Sequence, residues 1–333
     1  MEATSGDPRP PSDAPDVRII AWRPSGTTET VDVAGLVAIL AEPDTRVWVD
    51  AIDPSADHVR PIAAALGLHP LIAEDIVERN QRAKVETFDD VVHIVLFELS
   101  YIGDVQTAEI DFVLGPRFLL SVHGPECNLR SIGPMRAGIE PILKKGTDFL
   151  LYVLADHVVD GYFPVLDRLA EEIDELQDRV LESPSDWTLQ RLFVLKRELL
   201  AIRRATSPAR EIFNQLTNRE VAAVEESHVV YFRDVYDHLI RVTDELDNYR
   251  ELVGGTLDIY LSTINNNLSR IMKRLTGVTV LLAGVGALGG IFGMSQATPA
   301  LAGQEGFGFW FVTVASVVLA GVVAIVLRRI DWI

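Results

Sequence analysis

Carboxylates are the groups in this sequence best able to do chemistry, and the chemistry open to them is the binding of hard cations. Asp and Glu number 48 against 30 Lys and Arg, a formal net charge of −18 over 333 residues. No cluster of Lys and Arg of the kind that neutralises phosphates accompanies this excess, so cations are the expected counterpart and nucleic acid is not. Cys127 is the single cysteine, which rules out an intramolecular disulfide and fits a reducing cytosolic location. The seven histidines are scattered, and His93, inside an apolar β-like run, reads as a hydrogen-bonded core residue rather than a ligand. There is no phosphate-binding Gly-rich loop ending in Lys-Ser or Lys-Thr, no nucleophile elbow and no pair of histidines at helical metal spacing, so nothing supports an enzyme.

The elements that must position these carboxylates fall into two kinds. Residues 1–16, with Pro8, Pro10, Pro11 and Pro15 and no apolar stretch, read as a disordered tail without a signal peptide. Residues 17–154 mix β-rich runs (46–50, 91–97, 118–122) with short helices at 61–68 and 69–78 and turns at Gly103-Asp104 and Gly115-Pro116, which predicts an α/β domain. Residues 155–274 change period. Val159, Tyr162, Leu166, Leu169, Ile173, Leu176 and Val180 form one coiled-coil-like seam, and Leu192, Leu195, Leu199, Ile202, Ala209, Phe213 and Leu216 form a second after a break at 183–186. These predict an antiparallel hairpin. A third, stalk-like helix starts near Tyr231, with Leu239, Val242, Leu246, Tyr249 and Val253 on one face, and no proline stops it before residue 292.

The stretches 275–294 and 307–327 carry no charge and are each long enough to cross a bilayer. Arg270, Lys273 and Arg274 precede the first, and Arg328 and Arg329 follow the second, so the positive-inside rule places both outer ends, including the basic terminus 328–333, in the cytosol and the loop 295–306 outside. The expected fold class is thus an α+β membrane protein: an N-terminal α/β cytosolic domain, long stalk helices and a C-terminal two-helix transmembrane hairpin. Gly286/Gly290 and Gly289/Gly293 have the spacing that lets helices approach closely, within the hairpin or between chains. One hairpin cannot enclose a pore, so transport would need several copies around an axis.

Gly293-Met294-Ser295 at the end of the first span, followed by a short loop, a second span and a basic terminus, resembles the hairpin of the CorA family of magnesium/cobalt transporters, with Ser295 in place of that family's Asn. His69-Pro-Leu-Ile-Ala-Glu-Asp75, residues 81–86, 231–238 and 260–262, and Met272-Lys-Arg-Leu-Thr276 resemble the family in order and spacing, so the likeness covers about residues 45–333. It implies a homopentameric, multi-pass protein of the cell (plasma or inner) membrane that passes Mg²⁺ or Co²⁺ and is gated by cytosolic divalent cations. By the same resemblance, Glu74, Asp75, Asp156 and Asp234 hold regulatory Mg²⁺ between neighbouring cytosolic domains, a role that hard oxygen ligands suit. Gly293, Met294 and Ser295 form the selectivity filter, and Ser269, Met272, Leu275, Thr279 and Ala283 line the pore. The family's proline within the first span is absent, with Gly284 in its place. A serine ring holds a hydrated ion through fewer and shorter groups than an amide ring, which leaves open Zn²⁺ or broad divalent transport, or a non-conducting homologue that senses or scaffolds.

Overall fold

The computed structural model describes residues 16–136, 138–218, 223–294 and 307–329. The proline-rich start, the link between the two apolar stretches (Ser295 included) and the last four residues lie outside these. Seven strands occupy the first part of the chain: β1 (Asp16–Arg23), β2 (Gly26–Thr30), β3 (Arg46–Ile52), β4 (Lys84–Phe88), β5 (Val91–Tyr101), β6 (Val105–Leu114) and β7 (Phe118–His123). They make one sheet in the order β2-β1-β3-β7-β6-β5-β4. The β3–β7 pair is parallel and the other five pairs are antiparallel. The three apolar runs expected to be strands are β3, β5 and β7. Both expected turns are present: Gly103, at φ 82°, lies in the β5–β6 hairpin, and Gly115 N–H donates to Phe118 O at 2.9 Å before β7.

The two faces of the sheet are covered differently. Helices α1 (Leu36–Ala41), α2 (Ala56–Leu66) and α3 (Pro70–Glu78) cover one face, where Ile62, Leu66, Ile72 and Ile76 join Val47, Val49, Leu120 and Val122 in a single apolar core. Alternate residues of β3 and β7 point the other way and carry buried polar groups. Trp48 Nε1 donates to Ser121 Oγ at 2.9 Å, Ser121 donates to Asp50, and Arg130 Nε reaches Asp50 Oδ2 at 2.5 Å. Burial opposes a charge on Asp50, but hydrogen bonds from His123 and Ser121 and the charge of Arg130 outweigh it and hold the carboxyl below its ordinary range.

Two short helical turns, α4 (Gly133–Arg136) and α5 (Glu140–Leu143), lead into the helical part: α6 (Thr147–Asp160), α7 (Tyr162–Glu182), α8 (Asp186–Thr217), α9 (Val229–Met294) and α10 (Phe307–Arg329). α6 packs on β3, β5, β6 and β7. It begins ahead of the change of period at Leu154, because Phe149, Leu150, Leu151, Val153, Leu154 and Ala155 are all buried and a helix buried nearly all round shows no stripe. Of the described residues, the stretch Thr147–Glu182 is long and apolar enough to cross a membrane, but 61% of that apolar window lies inside the fold, as in a core helix. Every seam residue expected of the first two long helices is buried. Ser183-Pro184-Ser185 separates α7 from α8, and Ser185 Oγ accepts from Thr188 N–H to cap the new helix. α9 is one helix of 66 residues, about 100 Å at 1.5 Å per residue. By contact the chain divides into two compact units, residues 1–176 with 190–254, and 177–189 with 255–333.

Leu239 is fully buried on α9. Leu239→Ala should cost about 2–5 kcal/mol of stability, whereas Val31→Ala, 72% exposed, should change it by less than about 0.5 kcal/mol. Thermal unfolding of the two purified variants would check the contrast.

Candidate divalent cation centres

Two helices converge on the first centre. Asp156 and Asp160 stand four residues apart on α6, and Asp234 and His238 four apart on α9, so each pair shares a helix face. Aromatic packing fixes the two helices against each other: Phe149 meets Tyr231 edge-on at 5.1 Å and Tyr152 lies 5.0 Å from Tyr231, while Phe163 at the start of α7 meets His238 edge-on at 5.7 Å. Ligand atoms of Asp156, Asp160 and His238 consequently lie within 4.8 Å of one another. His238 Nδ1 is 3.3 Å from Asp160 Oδ1, but out of line for a hydrogen bond, and Asp156 Oδ1 is buried without a partner.

The electrostatics of this centre are unfavourable to a proton-free, metal-free state. Burial pushes Asp156 up to about 6, and the charges of Asp160 and Asp234 push the same way while His238 opposes them. Tyr152 beside them rises to about 12, through burial and the charges of Asp156 and Asp234. A proton on Asp156 or a divalent cation would relieve this repulsion.

The second centre lies at β4, β5 and α3. α3 carries Glu74, which is exposed, and Asp75, which is half-buried. Asp75 Oδ2 accepts from Lys84 Nζ at 2.6 Å, and the same ammonium donates to Glu86 Oε2 at 2.7 Å. Ligand atoms of Asp75, Glu86 and His93 lie within 4.8 Å of one another. His93 is the hydrogen-bonded core histidine expected, with Nε2 2.8 Å from Asp111 Oδ1.

Of the four carboxylates expected to hold regulatory cations, Asp156 and the exposed Asp234 thus come together at α6 and α9, Asp75 belongs to the other centre, and Glu74 stands exposed beside it in sequence, outside that group. Asp160, His238 and Glu86 were not among the candidates. The signal for the first two was the four-residue spacing from Asp156 and Asp234. Glu86 could be found only through the strand register that sets it opposite His93. Ser269, Met272, Leu275, Thr279 and Ala283 are all exposed on α9, where Thr279 donates to Leu275 O at 2.8 Å. Gly293 and Met294 close α9.

Because Asp156 binds its proton more tightly folded than unfolded, its contribution to stability is complete below the ordinary carboxylate range and is lost as pH rises through about 6. In metal-free protein the melting temperature should therefore fall between pH 4 and 6, less steeply in Asp156→Asn, and Mg²⁺ should restore it at pH 7. Thermal scans across pH, with chelator and with Mg²⁺, measure this.

The profile of the CorA-like Mg²⁺ transporter protein family matches residues 44–329. The cobalt/magnesium transport protein CorA of Thermotoga maritima is 32% identical over 314 residues, 92% of this chain and 88% of that protein. The complete structure of the CorA magnesium transporter from Methanocaldococcus jannaschii superposes with a TM-score of 0.80 at 22% identity, over 95% of this chain and 98% of that one. The ZntB cytoplasmic domain from Vibrio parahaemolyticus gives 0.58 at 16% identity, over 75% and 98%. These two likenesses show the fold, an α+β N-terminal domain with a long helix, and the family match shows the rest: the chain belongs to the CorA-like Mg²⁺ transporters, a family of ion transporters and not of enzymes.

Proposed function

We propose that this chain is a CorA-type channel for Mg²⁺ and Co²⁺, working as a homopentamer in the cell membrane and closed by cytosolic divalent cations. The observation that carries the reading is that Asp234 and His238, at the first cation centre, and the exposed face Ser269, Met272, Leu275, Thr279 and Ala283 lie on the same unbroken helix, α9. A change at the centre and a change along the pore wall are then changes in one element.

In this reading residues 275–294 and 307–327 are the two spans, 295–306 the outer loop, and both termini are cytosolic, as the basic flanks require. Large apolar side chains on both helices face outward from the single chain: Leu275, Val278 and Leu282 on α9, and Val314, Val317, Val322 and Ile325 on α10. Lipid and neighbouring copies would cover them. Gly284 faces Leu319 of α10, whose Cδ2 lies 3.8 Å from where a Cβ would sit, while Gly286, Gly289 and Gly290 have open space beside them. That space suits the close approach of helices from other copies.

Cytosolic Mg²⁺ bridging Asp75 and Asp234 of adjacent chains would hold the ring closed. Asp75→Asn with Asp234→Asn should raise Mg²⁺ flux into proteoliposomes by about 5-fold or more at high internal Mg²⁺, and should remove the protection that Mg²⁺ gives against proteolysis. Equal protection of wild type and double variant would dismiss these residues as the sensor.

Gly293, Met294 and Ser295 would form the filter, with Ser295 hydroxyls hydrogen-bonding the water around an entering ion. Ser295→Asn should increase the preference for Mg²⁺ over Ni²⁺ and Zn²⁺, and Ser295→Ala should weaken capture of all of them. Competition among the ions for flux decides it. An unchanged order in both variants would remove Ser295 from the filter.

A further inference from the structure

Both centres contain an imidazole, but that of the second is wholly buried and oriented by a carboxylate behind it. The antiparallel β4–β5 register sets Glu86 opposite His93, and Asp75 of α3 closes the group, with ligand atoms of all three residues within 4.8 Å of one another. His93 is wholly buried. Its Nε2 is taken by Asp111 Oδ1 at 2.8 Å, and its Nδ1 has no hydrogen-bond partner. A carboxylate accepting the Nε2 proton leaves the lone pair on Nδ1, and a carboxylate behind an imidazole is the arrangement by which metal-ligating histidines are oriented and made more basic.

A cation already holds the oxygen side of this group. Lys84 Nζ sits 2.6 Å from Asp75 Oδ2 and 2.7 Å from Glu86 Oε2. An ammonium has only donors, so it neutralises the carboxylates and leaves Nδ1 unpaired. Asp75 is half-buried and Glu86 is 43% exposed at its side chain, so both can turn the short distance to a common ion, and Lys84 can swing into solvent.

We propose that Asp75, Glu86 and His93 Nδ1 bind one divalent transition-metal ion of the Zn²⁺, Co²⁺ or Ni²⁺ class, in exchange for the Lys84 ammonium, with Asp111 as the positioning residue for the imidazole. One imidazole, two carboxylates and a water complete a four-coordinate shell of the kind Zn²⁺ adopts. Imidazole suits Zn²⁺, Co²⁺ and Ni²⁺, whereas Mg²⁺ takes oxygen ligands. The displaced lysine sets a threshold, since an ion must bind better than the ammonium it replaces. The site belongs to a single chain and depends neither on transport nor on a pentamer.

The test is Zn²⁺ binding by equilibrium dialysis to the full-length protein in detergent, with excess Mg²⁺ to fill oxygen-only sites. Wild type should bind one more Zn²⁺ per chain than Glu86→Gln and than His93→Gln. Asp111→Asn should weaken that ion by about 10–100-fold. Lys84→Met should tighten it by about tenfold or more, because the competing ammonium is removed, and the imidazole should keep Zn²⁺ preferred over Mg²⁺. His93→Gln alters a buried pair, so Glu86→Gln and Lys84→Met carry the decision if it fails to fold. Equal Zn²⁺ number and affinity in wild type, Glu86→Gln and Lys84→Met would overturn the site. So would equal affinities for Mg²⁺ and Zn²⁺ in Lys84→Met, which would make it a plain carboxylate pair without His93.

Discussion

Holding several carboxylates in one half-buried place is costly, and the packing of α6 on α9 imposes that cost. Two like charges 4.8 Å apart repel by about 3–4 kcal/mol at an effective dielectric constant of about 20, less where solvent screens them as at the exposed Asp160. The fold imposes this on Asp156 and Asp160, and the charge of Asp234 adds to it, because α6 and α9 are helices it cannot easily separate. Phe149, Tyr152, Tyr231 and Phe232 interlock between them, and Lys145 Nζ lies 3.9 Å over the Phe149 ring. The aromatic packing is large and prefers the edge-on and tilted geometries seen here, and it sets the helix positions; the carboxylates then accept whatever distance results. A proton on Asp156 or a cation among the three is the remaining relief.

The β4–β5–α3 centre meets the same problem differently. Lys84 is built into the edge strand, so Asp75 and Glu86 are neutralised without any ion. Burial works against the charge on Lys84, yet its hydrogen bonds to Asp75 and Glu86 outweigh that and raise its proton affinity. One centre carries its own counter-ion and the other does not.

This difference was only partly legible in the sequence. The helical seams were, because Leu166, Leu169, Ile173 and Leu176 repeat with the helix and fall on one buried face. β3, β5 and β7 were, because central strands covered on both faces read as unbroken apolar runs. β2 and β4 lie at the edges of the sheet, with mostly exposed Thr, Glu and Lys, and carry no such run. β6 is polar over its first half and apolar only from Ile110. Without β4 there is no register, and without register Glu86 cannot be set opposite His93. Asp156 and Asp234 came from family likeness, whereas their partners Asp160 and His238 needed only helical spacing, which has meaning once it is known which helix faces meet.

The continuity of α9 rests on neighbours rather than on its own preference for helix. Gly254 and Gly255 are adjacent in its interior, at the limit of the first compact unit. Each costs about 1 kcal/mol relative to alanine, and neither has an atom within 4 Å of where a Cβ would sit. No close approach and no left-handed backbone therefore demands glycine at either position. Val253, Thr256 and Tyr260 flank the pair and are buried, so packing at these three positions holds the chain helical where propensity would let it unwind.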